Sequence, residues 1–177
     1  MKRTSLKGDY CPSARALDVI GDWWSLLIVR DAFDGLTRFG EFHKSLGIAK
    51  NILSERLRTL TARGILRAVP AANGGAHQEY HLTEMGRDLF PVMVALRQWG
   101  EQHLFAPGEK HSRLVERDTS KAVRLHLRTE DGRPIGPADA VILKVPETGL
   151  ATEDERPSSS PRRRSAAKRP ARPRRNG

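Results

Sequence analysis

The fold class that this sequence predicts is mainly α with a small β wing: a winged helix-turn-helix, plus a short C-terminal β extension and a disordered basic tail. Three observations lead there. Two short amphipathic patterns meet at Gly47, a pair of strand-like segments around a turn follows them directly, and beyond Glu147 the chain loses apolar periodicity and becomes rich in Pro and Arg. Divided accordingly, residues 1–106 form the winged helical domain, 107–146 a small β-rich extension, and 147–177 the tail.

The first helix has Pro12 near its first turn, where a missing N–H is harmless, and Ala16, Leu17 and Ile20 as its apolar face. The apolar run Trp23 to Val29 follows, interrupted by Ser25 and far short of the roughly 20 residues needed to span a bilayer. In the next pattern Phe39, Phe42 and Leu46 recur at helical spacing; after the corner, Leu53, Leu57 and Leu60 do the same. Gly47 can take the left-handed conformation that ends a helix, and Ile48 can pack into the corner.

The second helix of this pair then turns Lys50, Asn51, Ser54, Glu55 and Arg58 outward. Such side chains suit base edges and phosphates, which points to double-stranded DNA as the partner. Lys50, Asn51, Ser54 and Glu55 lie in the first two turns and are the base-contact candidates. Arg38 at the start of the supporting helix, Lys44 and Arg58 are better placed for phosphates, which position a protein without reading sequence. The alternative for each is an ordinary solvated helix face.

Ile65 to Val69 reads as a strand, Ala71 to Ala76 contains the turn dipeptide Asn73-Gly74, and His77 to Leu82 reads as the returning strand. A hairpin in this place is a wing, and Asn73, Gly74 and His77 are its candidate DNA contacts. Thr83 is placed to cap a long helix in which Leu89, Val92, Met93, Leu96 and Trp99 share one face, with Pro91 expected to kink or interrupt it. Phe90 and Val94 lie off that stripe, an apolar surplus that calls for a partner. A homodimer through Leu17, Ile20, Phe90, Val94 and Trp99 is the expectation, set against a monomer with a wide apolar stripe.

Farther on, Val123, Leu125 and Leu127 alternate with Arg124, His126 and Arg128, Asp131-Gly132 signals a turn, and Val141 to Val145 reads as a strand. This extension is expected either to cover the end of the long helix or to bind an effector. The net charge of +10 is uneven: +3 through Phe105, +2 from Ala106 to Pro146, and +5 in the 31 residues from Glu147. A basic tail joined to a DNA reader can act as a sequence-independent phosphate grip, or merely keep the chain soluble.

At this point the residues resemble a known family. The segments CPSARALDVIGDWWSLLIVRDAF (11–33), RFGEF (38–42), LSERLRTLTARGIL (53–66) and EYHLTEMGRDL (79–89) are similar, in order, to the HxlR-type winged helix-turn-helix transcriptional regulators of the MarR-like superfamily. The resemblance runs from about Tyr10 to Leu104. It implies a small cytoplasmic dimer, paired through its first and last helices, that binds a pseudo-palindromic operator and represses or activates nearby genes. The family tends to carry a serine before the recognition helix, where this chain has Ala49; a lost cap costs about 0.5 to 2 kcal/mol, so that helix is expected to fray until phosphates meet its free amides.

Cys11 is the single cysteine, which excludes an intrachain disulfide and a multi-cysteine zinc site. At a helix start its thiol can be activated, and in some members of the resembled family a cysteine here senses oxidants or electrophiles; the alternative is a small residue near the dimer contact. The effector is thus expected to be an oxidant or a small molecule. The six histidines form no HExxH or other close ligand pair, and there is neither a GxxxxGK loop nor a GxSxG elbow, so no catalytic residue, metal site or cofactor is assigned. The basic start lacks an apolar signal core, so a cytoplasmic location away from membranes is expected. A sequence-specific regulator, most simply a repressor, is therefore weighed against a largely nonspecific, nucleoid-type architectural protein driven by the tail. The polar, non-lysine residues Asn51, Ser54 and Glu55 favour the regulator.

Overall fold

The computed structural model describes residues 5–71 and 77–144. Helices α1 (Pro12–Ile20), α2 (Trp23–Phe33), α3 (Phe39–Leu46) and α4 (Lys50–Ala62) are followed by strands β1 (Leu66–Pro70) and β2 (Gln78–Leu82), then α5 (Glu84–Arg87) and α6 (Phe90–His103). Their shared core consists of Ile28 and Val29 of α2, Phe42 of α3, Ile48 of the corner, Leu53, Leu57 and Leu60 of α4, and Ile65 and Leu66 entering β1. The leucine spacing in α4 places all three side chains on one line down the helix, and each is fully buried. This apolar contact fixes the rotation of α4, and with it which residues face out.

Local chemistry sets the helix boundaries. Asp22 starts α2 by accepting from the Ser25 backbone N–H at 2.9 Å. Gly47 ends α3 at φ 60°, in the left-handed region, and its N–H donates to the His43 carbonyl at 3.1 Å. The strands pair antiparallel with Leu66 opposite Leu82 and Ala68 opposite Tyr80. A partial third strand joins them where the Tyr80 N–H donates to the Thr37 carbonyl at 2.7 Å and Arg38 bridges Glu79. The wing is thereby tied to the residues that begin α3.

Beyond the wing the expected single long helix is two. Thr83 does cap, but it caps the four-residue α5, its hydroxyl accepting from the Gly86 N–H at 3.0 Å. A Cβ on Gly86 would lie 2.2 Å from the Ile65 carbonyl oxygen, so only glycine allows α5 to sit this close to the strand. The break falls at Asp88 and Leu89 and follows from Pro91, which has no N–H to offer Arg87 and whose ring would collide with that carbonyl. Pro91 instead occupies the first turn of α6, where it is harmless.

The break also redirects α6. Leu89 and Met93 pack against the core and Val94 is buried at 4% exposure, whereas Val92, Leu96 and Trp99 face outward. The predicted five-residue inward stripe is therefore corrected: its members divide between two faces. Val94, expected as spare surface, is already covered within the chain, as is Ile20 at 7% exposure, because both are buried by neighbouring elements of the same chain.

The extension departs from its predicted strands. It holds isolated bridges, Val115 with Ala122 and Arg128 with Pro134, and Asp131-Gly132 makes the expected turn with Gly132 at φ 84°. Strand ladders are replaced by a side chain: the Gln98 amide of α6 donates to the Val123 carbonyl at 3.1 Å and accepts from the Leu125 N–H at 3.2 Å. Residues up to Val141 and those from Ile142 on form separate units. Val141, Ile142 and Leu143 are exposed and outside any strand, while Val145 and the basic tail lie outside the described residues. Among the described residues no helix is long and apolar enough to cross a membrane.

Candidate nucleic-acid interface

The turn at Gly47 and the burial of Leu53, Leu57 and Leu60 leave one face of α4 in solvent. Lys50, Asn51, Ser54, Glu55 and Arg58 are all exposed on it. Helix geometry carries Lys50, Asn51, Ser54 and Glu55 through the first turn and a half, so their side chains form one compact polar patch at the free end of α4. Ala49 precedes them with φ −58° and ψ 138°, and no side chain caps the helix. The first amide groups of α4 are thus left to solvent or an anion.

Ion pairs hold the helix at its middle and just past its C-terminus. Arg56, half-buried on the inner flank, lies 3.4 Å from Asp22, the capping residue of α2. Arg63, just past the C-terminus, lies 3.5 Å from Asp18 of α1. Asp18 in turn accepts from the Leu6 N–H and the Ser5 hydroxyl, both at 3.0 Å. These anchors were not foreseen in the sequence, where four basic residues at Lys50, Arg56, Arg58 and Arg63 look alike. The signal was their phase: Arg56 and Arg63 lie seven apart, on a flank next to the leucine line.

Lys44 of α3 is exposed near this patch in sequence order but carries no contact that defines its direction. Arg38 is half exposed and paired to Glu79 of β2, Nε and Nη2 each 3.1 Å from Oε1. Glu79 also lies 3.4 Å from His81. Arg38 is therefore held by a carboxylate rather than free, which fixes its position at the junction of α3 and the wing. Glu41 completes the start of α3 by accepting from the Thr37 and Arg38 N–H groups, both at 2.9 Å. Those two backbone bonds hold its carboxyl below the usual range.

On the wing, His77 is exposed and its carbonyl accepts from the Ala71 N–H at 3.0 Å, closing the base of the hairpin. Asn73 and Gly74, the other expected wing contacts, lie outside the described residues. Arg67 of β1 is exposed and was missed; its alternation with the buried Leu66 was the available signal.

Away from this face, Cys11 is exposed at the N-cap of α1, and its N–H donates to Asp9 Oδ1 at 2.7 Å. Leu17, Phe90 and Trp99, the other expected dimer residues, are exposed, Trp99 at 56%. Phe90 is partly covered by an edge-to-face contact with Phe33, their ring centroids 5.3 Å apart.

Comparison with known proteins places this geometry. An HTH-type transcriptional regulator of Mycobacterium tuberculosis strain H37Rv, Rv3095, is 47% identical over 93 residues, which is 52% of this chain and 59% of that protein; the chain thus matches little more than half of that relative's length. The solved structure of PA1607, described as a candidate transcription factor, is 60% identical with a TM-score of 0.76, covering 80% of this chain and all of that one. The redox regulator HypR in its reduced form is 35% identical with a TM-score of 0.50, covering 53% of this chain and 94% of that one. Residues 19–107, half of the chain, match the HxlR-like helix-turn-helix description. The helix-turn-helix and the hairpin after it lie within that matched span, and this protein belongs to the HxlR-like helix-turn-helix family of transcriptional regulators.

Proposed function

We propose that this regulator is a homodimer that reads a pseudo-palindromic operator in double-stranded DNA, in the cytoplasm, and represses the genes beside it. The observation that carries the reading is the exposed patch Lys50, Asn51, Ser54 and Glu55, backed by a rigid line of buried leucines. Each member has a base edge it can serve: Asn51 can bond adenine N6 and N7 together, Lys50 guanine O6 and N7, and Glu55 can accept from cytosine N4. Glu55 is the most telling, because a carboxylate set against phosphates is repelled and only a base donor repays its place there. Arg58, Lys44, Arg38 and the wing residues Arg67, His77, Asn73 and Gly74 supply phosphate or minor-groove contacts that set register.

Dimerisation brings two such patches to successive major-groove faces, as a two-fold operator requires. Its support is the outward apolar surface of α6, with Val92, Leu96 and Trp99, together with Leu17 of α1. Switching by oxidants at the exposed Cys11 is the accompanying proposal, supported by the likeness to HypR, a redox regulator by its own description. Replacing Cys11 by Ser is expected to abolish release of DNA by diamide; unaltered release removes the proposal.

The test of the main reading is a competition assay at near-physiological salt between a duplex from the gene's own upstream region and a scrambled duplex. A preference of about a thousandfold or more is expected of a specific regulator. Equal binding that is lost on truncation of the basic tail would overturn it in favour of nonspecific, architectural binding driven by that tail.

A further inference from the structure

We propose that the small cavity between α6 and the start of the C-terminal extension is a binding site for a phosphoryl dianion, held between Arg113 and Arg124. Beside α6 the extension doubles back on itself. Val115 bridges Ala122, the Glu116 N–H donates to the Lys121 carbonyl at 2.8 Å, and the Val123 N–H donates to the Leu114 carbonyl at 3.2 Å. In that register Arg113 stands opposite Arg124, and both line the cavity. Like charges set opposite each other across such a pair repel, unless an anion lies between them.

Two adjacent side chains of α6 hold the segments that carry these arginines. Arg97 donates through Nη2 to the carbonyl of Ser112, next to Arg113, and to the Ser112 hydroxyl at 3.1 Å. Gln98 binds the Val123 carbonyl and the Leu125 N–H, on either side of Arg124. The two guanidinium groups are thus presented from a backbone that is tied down at both positions.

The charge balance selects the ligand's sign. Three guanidinium groups, one imidazole and one carboxylate line the cavity. The carboxylate, Glu101, is engaged by Arg97, whose Nε lies 2.7 Å from its Oε1, and His111 Nδ1 stands 3.9 Å from the same oxygen. Neither Arg113 nor Arg124 is paired with a carboxylate among the described residues. A phosphoryl group carries close to two negative charges on one centre and has oxygens enough for two guanidinium forks, whereas a single carboxylate leaves one of them unmatched. Leu114 and Val123 add an apolar wall, and the volume of about 230 Å³ lies below the range of drug-sized ligands, which suits a phosphate with a short organic body or none. Arg97, Gln98 and Glu101 leave α6 on the side away from Val92, Leu96 and Trp99, so this ligand does not compete with a second copy for the apolar face.

The probes are phenyl phosphate and inorganic phosphate, titrated into the full-length protein at low salt and about pH 7.5, where both are largely dianions, and followed by calorimetry. Diphenyl phosphate, a monoanionic diester like the nucleic-acid backbone, is the control. Saturable one-to-one binding in the submillimolar range is expected for phenyl phosphate, at least about tenfold tighter than for the diester. Tighter binding of phenyl phosphate than of inorganic phosphate assigns the site to a monoester; equal binding assigns it to the free ion, and either result upholds a phosphoryl site. Arg113→Gln and Arg124→Gln change exposed side chains, so both variants should fold normally, and each should weaken binding about fivefold or more. Arg117→Gln removes the same charge from the exposed tip of the turn, outside the cavity, and should change nothing. The arginines of the basic tail are common to all these variants and give only a background that the substitutions leave in place. Absence of saturable binding, equal binding of the diester, indifference to both cavity substitutions, or an equal loss with Arg117→Gln would overturn the proposal. Each of these is measured without DNA, so the outcome leaves the reading of DNA by α4 to its own test.

Discussion

α4 and α6 are helices of similar length that bury very different amounts of themselves. In α4 three leucines are fully buried and the outer face is polar throughout its first turns; in α6 only Val94 is buried, and Val92, Leu96 and Trp99 are left in solvent. A polar face on a well-anchored helix suits a hydrated, charged partner such as DNA, whereas an apolar face suits another protein surface. The contrast teaches that the two helices present exposed faces of opposite chemistry, and that the proposed partners of each follow from that difference.

Truncation should expose the difference most strongly. Leu57→Ala in α4 is expected to destabilise the fold by about 2–5 kcal/mol, since a fully buried side chain leaves a cavity. Leu96→Ala in α6, read by the same denaturant titration on dilute protein, should change stability by only about 0.5 kcal/mol. Comparable losses would erase the distinction between the helices. Next in size is Trp99→Glu, which should weaken self-association by about 2 kcal/mol or more, seen by sedimentation as a shift to monomer at micromolar concentration. A wild-type protein that is itself monomeric there would refute the pairing role of α6.

Smaller effects sharpen the picture of the reader. Ala49→Ser supplies the missing cap of α4 and should stabilise by about 1 kcal/mol, with slower amide exchange in the first turn. Slow exchange in that turn of the unaltered protein would contradict fraying. Smallest is the effect of Glu41, whose carboxyl is held below its usual range by the Thr37 and Arg38 N–H groups. A depressed carboxyl contributes stability above its unfolded pKa and loses it as pH falls through the folded value. Wild type should therefore lose stability relative to Glu41→Gln on acidification through the carboxylate range, and a pH-independent difference in thermal unfolding would count against the bonds.

The helix-turn-helix was legible because its determinants are local. Periodic leucines, Gly47 at a position needing positive φ, and the strand pair around Asn73-Gly74 each work within a few residues. The turn and capping roles of Gly132 and Thr83 were equally plain. What escaped depends on long-range geometry. The split of the last helix at Asp88 was foretold by Pro91, but the rotation that buries Val94 and turns Leu96 out depends on where α2 lies. The alternation of Val123 and Leu125 suggested a strand because sequence cannot show that a Gln98 side chain would take the place of a neighbouring backbone. The candidate base contacts fell on the exposed face as expected, yet the anchoring of Arg38 to Glu79 joins residues 41 apart in the chain. Arg56 and Arg58 look interchangeable in the sequence, and only the fold assigns one to Asp22 and leaves the other exposed.

The most direct test of the α4 account is the affinity of Asn51→Ala for the preferred duplex and for a scrambled one, measured side by side with the wild type at one salt concentration. The account predicts that binding to the preferred duplex falls by about 1–3 kcal/mol while scrambled binding is unchanged, because Asn51 reads a base and carries no charge. Unchanged affinity for the preferred duplex, or an equal loss on both, would contradict it and remove base reading from this face.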